Sequence, residues 1–286
     1  MNRIALYIIF IILISIFGCN LEREIEVDLP DFEERPAVEC YLEPGQPFTL
    51  LLTKSVAYFD PFPSFYRDEF LDAVLENDAQ VSIIHNQKVY KLENELVFNL
   101  FTRKVFNYVN RDLVPSDFEN DFELKIVTKD GKTIEAKTRI LRPIPIDSVV
   151  VQFPETLEKP SDTLARVLTY LTDPPGVENY FRRLLNVSSL DSIPEQDFIA
   201  DDKLIDKNVI AFGTAYDYAK GDTIYNTIYH IDQAYFEFLE SLFRARAANG
   251  NPFAQPSPVI SNVRGTANAI GIFTFLSYNR KITIIK

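Results

Sequence analysis

Phe122-Glu123-Leu124-Lys125-Ile126-Val127-Thr128-Lys129-Asp130-Gly131-Lys132-Thr133-Ile134-Glu135-Ala136-Lys137-Thr138-Arg139-Ile140 is the stretch whose reading decides the fold. Phe122, Leu124 and Ile126 alternate with Glu123 and Lys125, the period of a strand with one face buried. The pattern resumes from Thr133 to Ile140. Asp130-Gly131 between the two runs supplies the positive φ angles of a primed turn, so the spacing predicts a β-hairpin.

Upstream, similar runs occupy Phe48 to Thr53 and Gln80 to Ile84, and Ala37 to Leu42 alternates in the same way around Cys40. Strands at this spacing over about 120 residues predict an N-terminal β-sandwich of immunoglobulin or fibronectin type, placed at residues 31–142. Downstream, Leu141-Arg142-Pro143-Ile144-Pro145-Ile146 reads as a stiff connector, because a residue before proline is held extended. A second, C-terminal β-rich domain is expected over 143–286. Its strands are read at Ser148 to Phe153, Thr163 to Leu171, Glu178 to Val187, Val209 to Ala215 and Asp222 to Ile231. One amphipathic helix is expected at 232–248. Asp232 is its N-cap, Ile231 and Phe236 form a hydrophobic staple, and Tyr235, Phe238, Leu239 and Leu242 recur at helical spacing. Asn249-Gly250 and Pro252 end it. Ile270 to Tyr278 and Lys281 to Ile285 are read as a final hairpin around Asn279-Arg280. The expected class is mainly β: two sandwich-like domains, the second carrying the helix.

The N-terminus reads differently. Asn2-Arg3 precedes an apolar run from Ile4 to Phe17 that is shorter than the roughly twenty residues a membrane span needs. It has the length of a signal-peptide core. Ile16-Phe17-Gly18-Cys19 looks like a lipobox, so residues 1–18 are expected to be removed and Cys19 to be lipidated. Two or three acyl chains on one cysteine anchor a protein stably. Residues 19–30 then form an acidic, lipid-anchored leader, and Asn20 stands where an inner-membrane retention signal would have Asp. The sequence predicts an outer-membrane location, facing the exterior.

Charge and cysteine content exclude several classes. The formal charge is -12, and removing Arg3 with the signal leaves -13, so binding to nucleic acid through charge is excluded. With Cys19 consumed by lipid, Cys40 has no disulfide partner and reads as a small buried hydrophobe. His85 and His230 are the only histidines, and both fall in strand-like runs. No Gly-x-Ser-x-Gly elbow and no glycine-rich phosphate loop occurs. The expectation is a non-enzymatic protein without cofactor or metal. Asp201-Asp202 with Asp206, and Glu119-Asn120-Asp121, carry hard oxygen ligands but lack the spacing of a calcium loop.

Two features point outward. Tyr58, Phe59, Phe62, Phe65, Tyr66 and Phe70 lie in a segment broken by Pro61 and Pro63. Prolines keep such rings off a regular sheet face, so the segment is read as a partner-binding patch; the alternative is a plug filling an open sandwich end. Asp-(Ser/Thr)-aliphatic triplets place candidate O-glycosylation at Ser148, Thr163, Ser192 and Thr223, similar to the sequon of Bacteroidetes-type secreted proteins. The Tyr180-Phe181-Arg182-Arg183 run sends its arginines to opposite strand faces, one solvated and one available to a carboxylate. Asn251-Pro252-Phe253-Ala254-Gln255-Pro256-Ser257-Pro258 returns the chain from helix to sheet.

The lipobox, Asp173-Pro174-Pro175-Gly176 with Asn179-Tyr180-Phe181-Arg182, the Tyr235-Phe236-Glu237-Phe238-Leu239-Glu240-Ser241 helix and the Asn249-Gly250-Asn251-Pro252-Phe253 exit together resemble domain-of-unknown-function family 4249. Its members are lipoproteins of Bacteroidetes-type bacteria encoded beside TonB-dependent receptors. The resemblance implies an accessory or substrate-capture role beside such a receptor. The rival readings are a structural or adhesive envelope protein, and a hydrolase with an unrecognised carboxylate site.

Overall fold

The computed structural model describes residues 33–55, 67–99, 104–155, 163–174, 176–203, 208–248 and 257–286. Alternation in sequence becomes alternation in burial. In β1 (Pro36–Leu42) and β2 (Pro47–Lys54) every second side chain turns inward: Val38, Cys40 and Leu42 from one, Phe48, Leu50 and Leu52 from the other. The same holds for β3 (Gln80–His85), β6 (Phe122–Val127) and β7 (Thr133–Thr138). With β4 (Lys88–Asn99), β5 (Lys104–Leu113) and β14 (Ile270–Phe275) they make an eight-stranded sheet in the order β14-β1-β2-β5-β4-β3-β6-β7.

β4 is the corner of this sheet. Its first half pairs with β3, and after a register shift between Asn94 and Val97 its second half continues on β5. The sheet thereby folds over one apolar core that holds residues of both flanks, such as Leu50 and Phe273 against Ile83 and Ile126. α1 (Arg67–Val74) follows β2 and carries Phe70, half-buried, so that position is helical and not loop.

The hairpin at 122–138 forms in the expected register, but its turn is not primed. Thr128 accepts from the Gly131 amide, and Gly131 alone enters the left-handed region, at φ 80. The turn with two positive φ angles lies between β3 and β4, at Asn86 and Gln87 (φ 48 and 65). There the short polar Asn side chain tolerates the conformation.

The free edges of β7 and β14 are joined by residues 261–267. Glu135 and Arg264 exchange backbone hydrogen bonds of 2.7 and 2.8 Å, and the Ala267 amide reaches the Thr133 carbonyl. On the other side Asn262 imitates a strand with its side chain, donating to the Phe273 carbonyl at 2.7 Å and accepting its amide at 2.9 Å. β14 runs parallel to β1, with Gly271 opposite Val38 at φ +132; a β-carbon there would collide with the Val38 carbonyl oxygen.

The remaining strands form two facing sheets. One has the order β11 (Gln196–Asp201), β10 (Tyr180–Val187), β13 (Thr223–Ile231), β15 (Ser277–Ile284); the other is β12 (Val209–Gly213), β9 (Arg166–Thr172), β8 (Ile146–Gln152). Leu171 and Phe212 of the second meet Phe181 and Ile228 of the first, the packing of a β-sandwich. α2 (Gln233–Ala248) starts as the sequence predicts. Asp232 caps it by accepting the Tyr235 amide at 2.7 Å, and Tyr235, Phe238 and Leu239 are buried.

Two expectations are corrected. The last two strands are no hairpin: β14 belongs to the first sheet and β15 to the sandwich, and Asn279 and Arg280 lie within β15, paired to β13. A residue pair without Gly, Asp or a second Asn has no drive to turn. The expected boundary at 142/143 is also crossed, because residues 270–275 complete the sheet built from 36–138, and 34–286 cluster as one compact unit. The connector itself is packed. Ile140 joins the first core, Ile144 and Ile146 the sandwich core, and His230 holds the Arg142 carbonyl at 2.7 Å.

Candidate ligand groove

Outward-facing residues of β6 and β7 meet the start of α2 and the segment at 260–264 around an open groove of about 810 Å3. Its walls are held by side chains. Asp232 accepts from the Thr138 hydroxyl at 3.2 Å while capping α2, which ties the helix start to β7. Burial pushes the Asp232 carboxyl up from its ordinary value. Ser241 donates to the Phe238 carbonyl at 2.7 Å and accepts the Ile260 amide at 2.9 Å, which ties the far wall to the helix.

Two ionic rows cross the sheet here. Glu123 and Lys137 are cross-strand partners and form an ion pair of 3.3 Å; Lys137 also binds Asp121 at 2.8 Å. In the neighbouring row Lys125 stands opposite Glu135, and Glu135 opposite Arg264. All three are exposed, and among the described residues none forms a side-chain ion pair. Ile84 and Ile260 add apolar surface, and Ala234 keeps the helix side shallow.

The Asp-Pro-Pro-Gly motif builds a second polar cluster. Asn179 donates its side-chain amide to Asp173 at 3.1 Å and to Asp202 at 2.9 Å, and its backbone amide also reaches Asp202. Burial, then the charge of Asp202, raises the Asp173 carboxyl above its ordinary value. Arg182 is bound by Asp197 at 2.7 and 2.8 Å and by the Tyr235 hydroxyl at 2.8 Å, while Arg183 is fully buried. Arg182 meets the expected carboxylate, but Arg183 is not solvated as expected, because both faces of β10 are covered.

Of the residues singled out in the sequence, Cys19, Tyr58, Phe59, Phe62, Phe65, Tyr66 and Asp206 lie outside the described residues. Ser148 and Thr163 are exposed; Ser192 and Thr223 are half-buried, and the Ser192 hydroxyl is engaged by the Ser189 carbonyl at 2.7 Å. The four stand on separate strands and loops and form no common site. Glu119 pairs with Arg142, and Asp121 with Arg139, which holds the Asp121 carboxyl below its ordinary value. Among the described residues no His, Cys, Asp and Glu group is arranged to hold a metal. His85 stacks on Phe122 and faces Asp117 at 3.1 Å, which ties the loop before β6 to the β3–β4 turn. Cys40 is buried, and burial pushes its thiol up. No helix among the described residues is long and apolar enough to cross a membrane.

Local sequence does not single out the Lys125–Glu135–Arg264 row. Lys125 and Glu135 are equidistant from the hairpin turn and so are accessible to sequence reasoning, whereas nothing local announces Arg264.

No curated protein matches the chain. Among solved structures, a cytokine receptor complex (crystal form 1A) is similar at 7% identity, covering 70% of this chain and 86% of that one, with a TM-score of 0.25. A likeness of that size carries no argument. The model of a domain of unknown function, DUF4249, matches residues 22–282. The chain therefore belongs to the DUF4249 family.

Proposed function

We propose that this chain is an exterior-facing outer-membrane lipoprotein, anchored through Cys19, that captures a small ligand for a TonB-dependent receptor without transforming it. The observation that carries this reading is the open groove beside α2, whose ions Lys125, Glu135 and Arg264 have no protein partners among the described residues. Ionic groups without a partner among the described residues are available to something outside them. The Ile16-Phe17-Gly18-Cys19 sequence supports the anchor. Sixteen residues separate Cys19 from β1, a leader that spans at most roughly 55 Å when extended. The aromatic segment from Tyr58 to Tyr66 is assigned to the receptor contact, and Ser148 and Thr163 to O-glycosylation. The folded-over sheet is read as an immunoglobulin- or fibronectin-like module beside a second sandwich.

The test is Cys19→Ala in the native bacterium. It is expected to abolish labelling by a fatty-acid probe and to release the protein from the outer membrane, with loss of a co-purifying receptor. Labelling that persists in the variant removes the anchor. A labelled wild-type protein that co-purifies with no TonB-dependent receptor removes the partner.

A further inference from the structure

We propose that the Lys125–Glu135–Arg264 row recognises a short peptide with free termini, Glu135 taking the α-ammonium and Arg264 the α-carboxylate. This deepens the capture reading above and rests on it.

The hairpin carries its own control. Glu123 and Lys137 form an ion pair across the same two strands, at 3.3 Å. Lys125 and Glu135, in an equivalent register one row along, do not pair, although their β-carbons are close enough for contact. The difference between the rows is their surroundings. The unpaired row is extended by the isolated bridge from Glu135 to Arg264, so Glu135 has a cation on each side. The result is a plus–minus–plus line across two strands and the segment beside them, in a groove walled by Ala234 and Ile260.

That line has a length. Adjacent strands stand about 4.7–4.9 Å apart, which sets the spacing of the Glu135 and Arg264 backbones. An extended residue advances about 3.3–3.6 Å, so the ammonium and carboxylate of a dipeptide stand about 6 Å apart, within reach of these two side chains, and those of longer chains stand farther apart. Arg264 can grip a carboxylate with two parallel hydrogen bonds. Lys125, on the far side of Glu135, is left for a carbonyl or an acidic side chain near the ligand's N-terminus. Ile84 and Ile260 offer apolar contact to the side chains, and about 810 Å3 is ample for two residues.

The experiment is isothermal titration of the full-length protein, purified in detergent, with dialanine, N-acetyl-dialanine and dialanine amide. Dialanine is expected to saturate, and each protected form to bind about tenfold more weakly or worse, because each lacks one charge-assisted contact. Glu135→Gln is expected to erase the penalty for acetylation only, and Arg264→Gln the penalty for amidation only. Both side chains are exposed, so both variants are expected to melt at the wild-type temperature, which separates lost recognition from lost folding. Equal binding of free and protected dialanine overturns the proposal. So does failure of dialanine to saturate, or a variant that lowers all three affinities together. If dialanine fails while a TonB-dependent receptor still co-purifies, the peptide inference falls and the accessory reading stands. If dialanine binds as expected while no receptor co-purifies, the peptide site stands and the receptor partnership falls.

Discussion

The folded-over sheet and the facing-sheet sandwich solve the same problem with different interiors. Inside the first, Val38, Leu50, Ile83, Phe122 and Phe273 belong to one apolar cluster, and among the described residues no Lys, Arg, Asp or Glu is buried on its strands; Asn107 substitutes for a ladder where β2 and β5 part. Inside the second sits Arg183, fully buried, with neutral acceptors only: Asn226 at 3.0 Å, Gln196 at 3.2 Å, the Gly213 carbonyl at 3.3 Å and Thr169 at 3.4 Å. Burial lowers the Arg183 pKa to about 10. The first core gains by removing apolar surface from water. The second accepts the desolvation of a cation and recovers part of it through several hydrogen bonds that orient the strands around it.

The contrast is sharpest at single residues. Phe48→Ala is expected to cost about 3–5 kcal/mol in chemical denaturation, since Phe48 is fully buried against Tyr90. A loss under about 1 kcal/mol would mean that the first core can collapse around a void and is not close-packed. Arg183→Met keeps most of the volume and removes the charge but leaves the buried Asn226 Oδ1 without its donor, so it is expected to cost about 1–3 kcal/mol, less than Phe48→Ala. If it instead destabilises as much as Phe48→Ala, the hydrogen bonds outweigh the cost of burying the cation, and the two interiors differ less than their composition suggests.

The smallest effect is expected at the joint between the regions. Burial lowers the His230 pKa from 6.5, with the ring bonded to the Arg142 carbonyl at 2.7 Å. Below pH 6.5 the unfolded chain takes up a proton that the folded ring resists. Its contribution is therefore present above pH 6.5 and lost as pH falls through the folded value. A plot of melting temperature against pH is expected to slope downward on acidification from 7 to 5, and His230→Phe to flatten part of that slope. An unchanged slope would show that this contact is immaterial to the joint.

Sequence pattern leads to structure where local alternation and burial coincide. Phe122, Leu124 and Ile126 lie inside, as their alternation implies, and Asp232 caps α2 as its position before Tyr235 implies. It misleads where partners lie far apart in the chain. β14 reads as half of a hairpin because hydropathy does not say which strand lies alongside; its partner, β1, is more than two hundred residues earlier. β4 and β5 escape a reading by alternation because Glu93, Asn94 and Glu95 interrupt it at the bend where β4 changes neighbours. Strand alternation puts Arg182 and Arg183 on opposite faces but does not say that Arg183 is buried without a carboxylate, since charge in a strand normally means solvent. For the groove, Lys125 and Glu135 follow from the hairpin register, but Arg264 is brought to them by a seam that sequence spacing does not reveal.

The parallel pairing of β1 with β14 has a mechanical consequence. The chain enters β1 from Arg35 and leaves β14 at Leu276, at opposite ends of that shared ladder. A force pulling Glu34 away from Leu276 drags the two strands past each other. The six residue pairs from Ala37–Ile270 to Leu42–Phe275 are then loaded together in shear, and none can be unzipped ahead of the next. Failure under tension is a matter of unfolding rate, not of equilibrium stability. A body gripped ahead of β1 and tugged just beyond β14 would yield only when all six pairs give way at once.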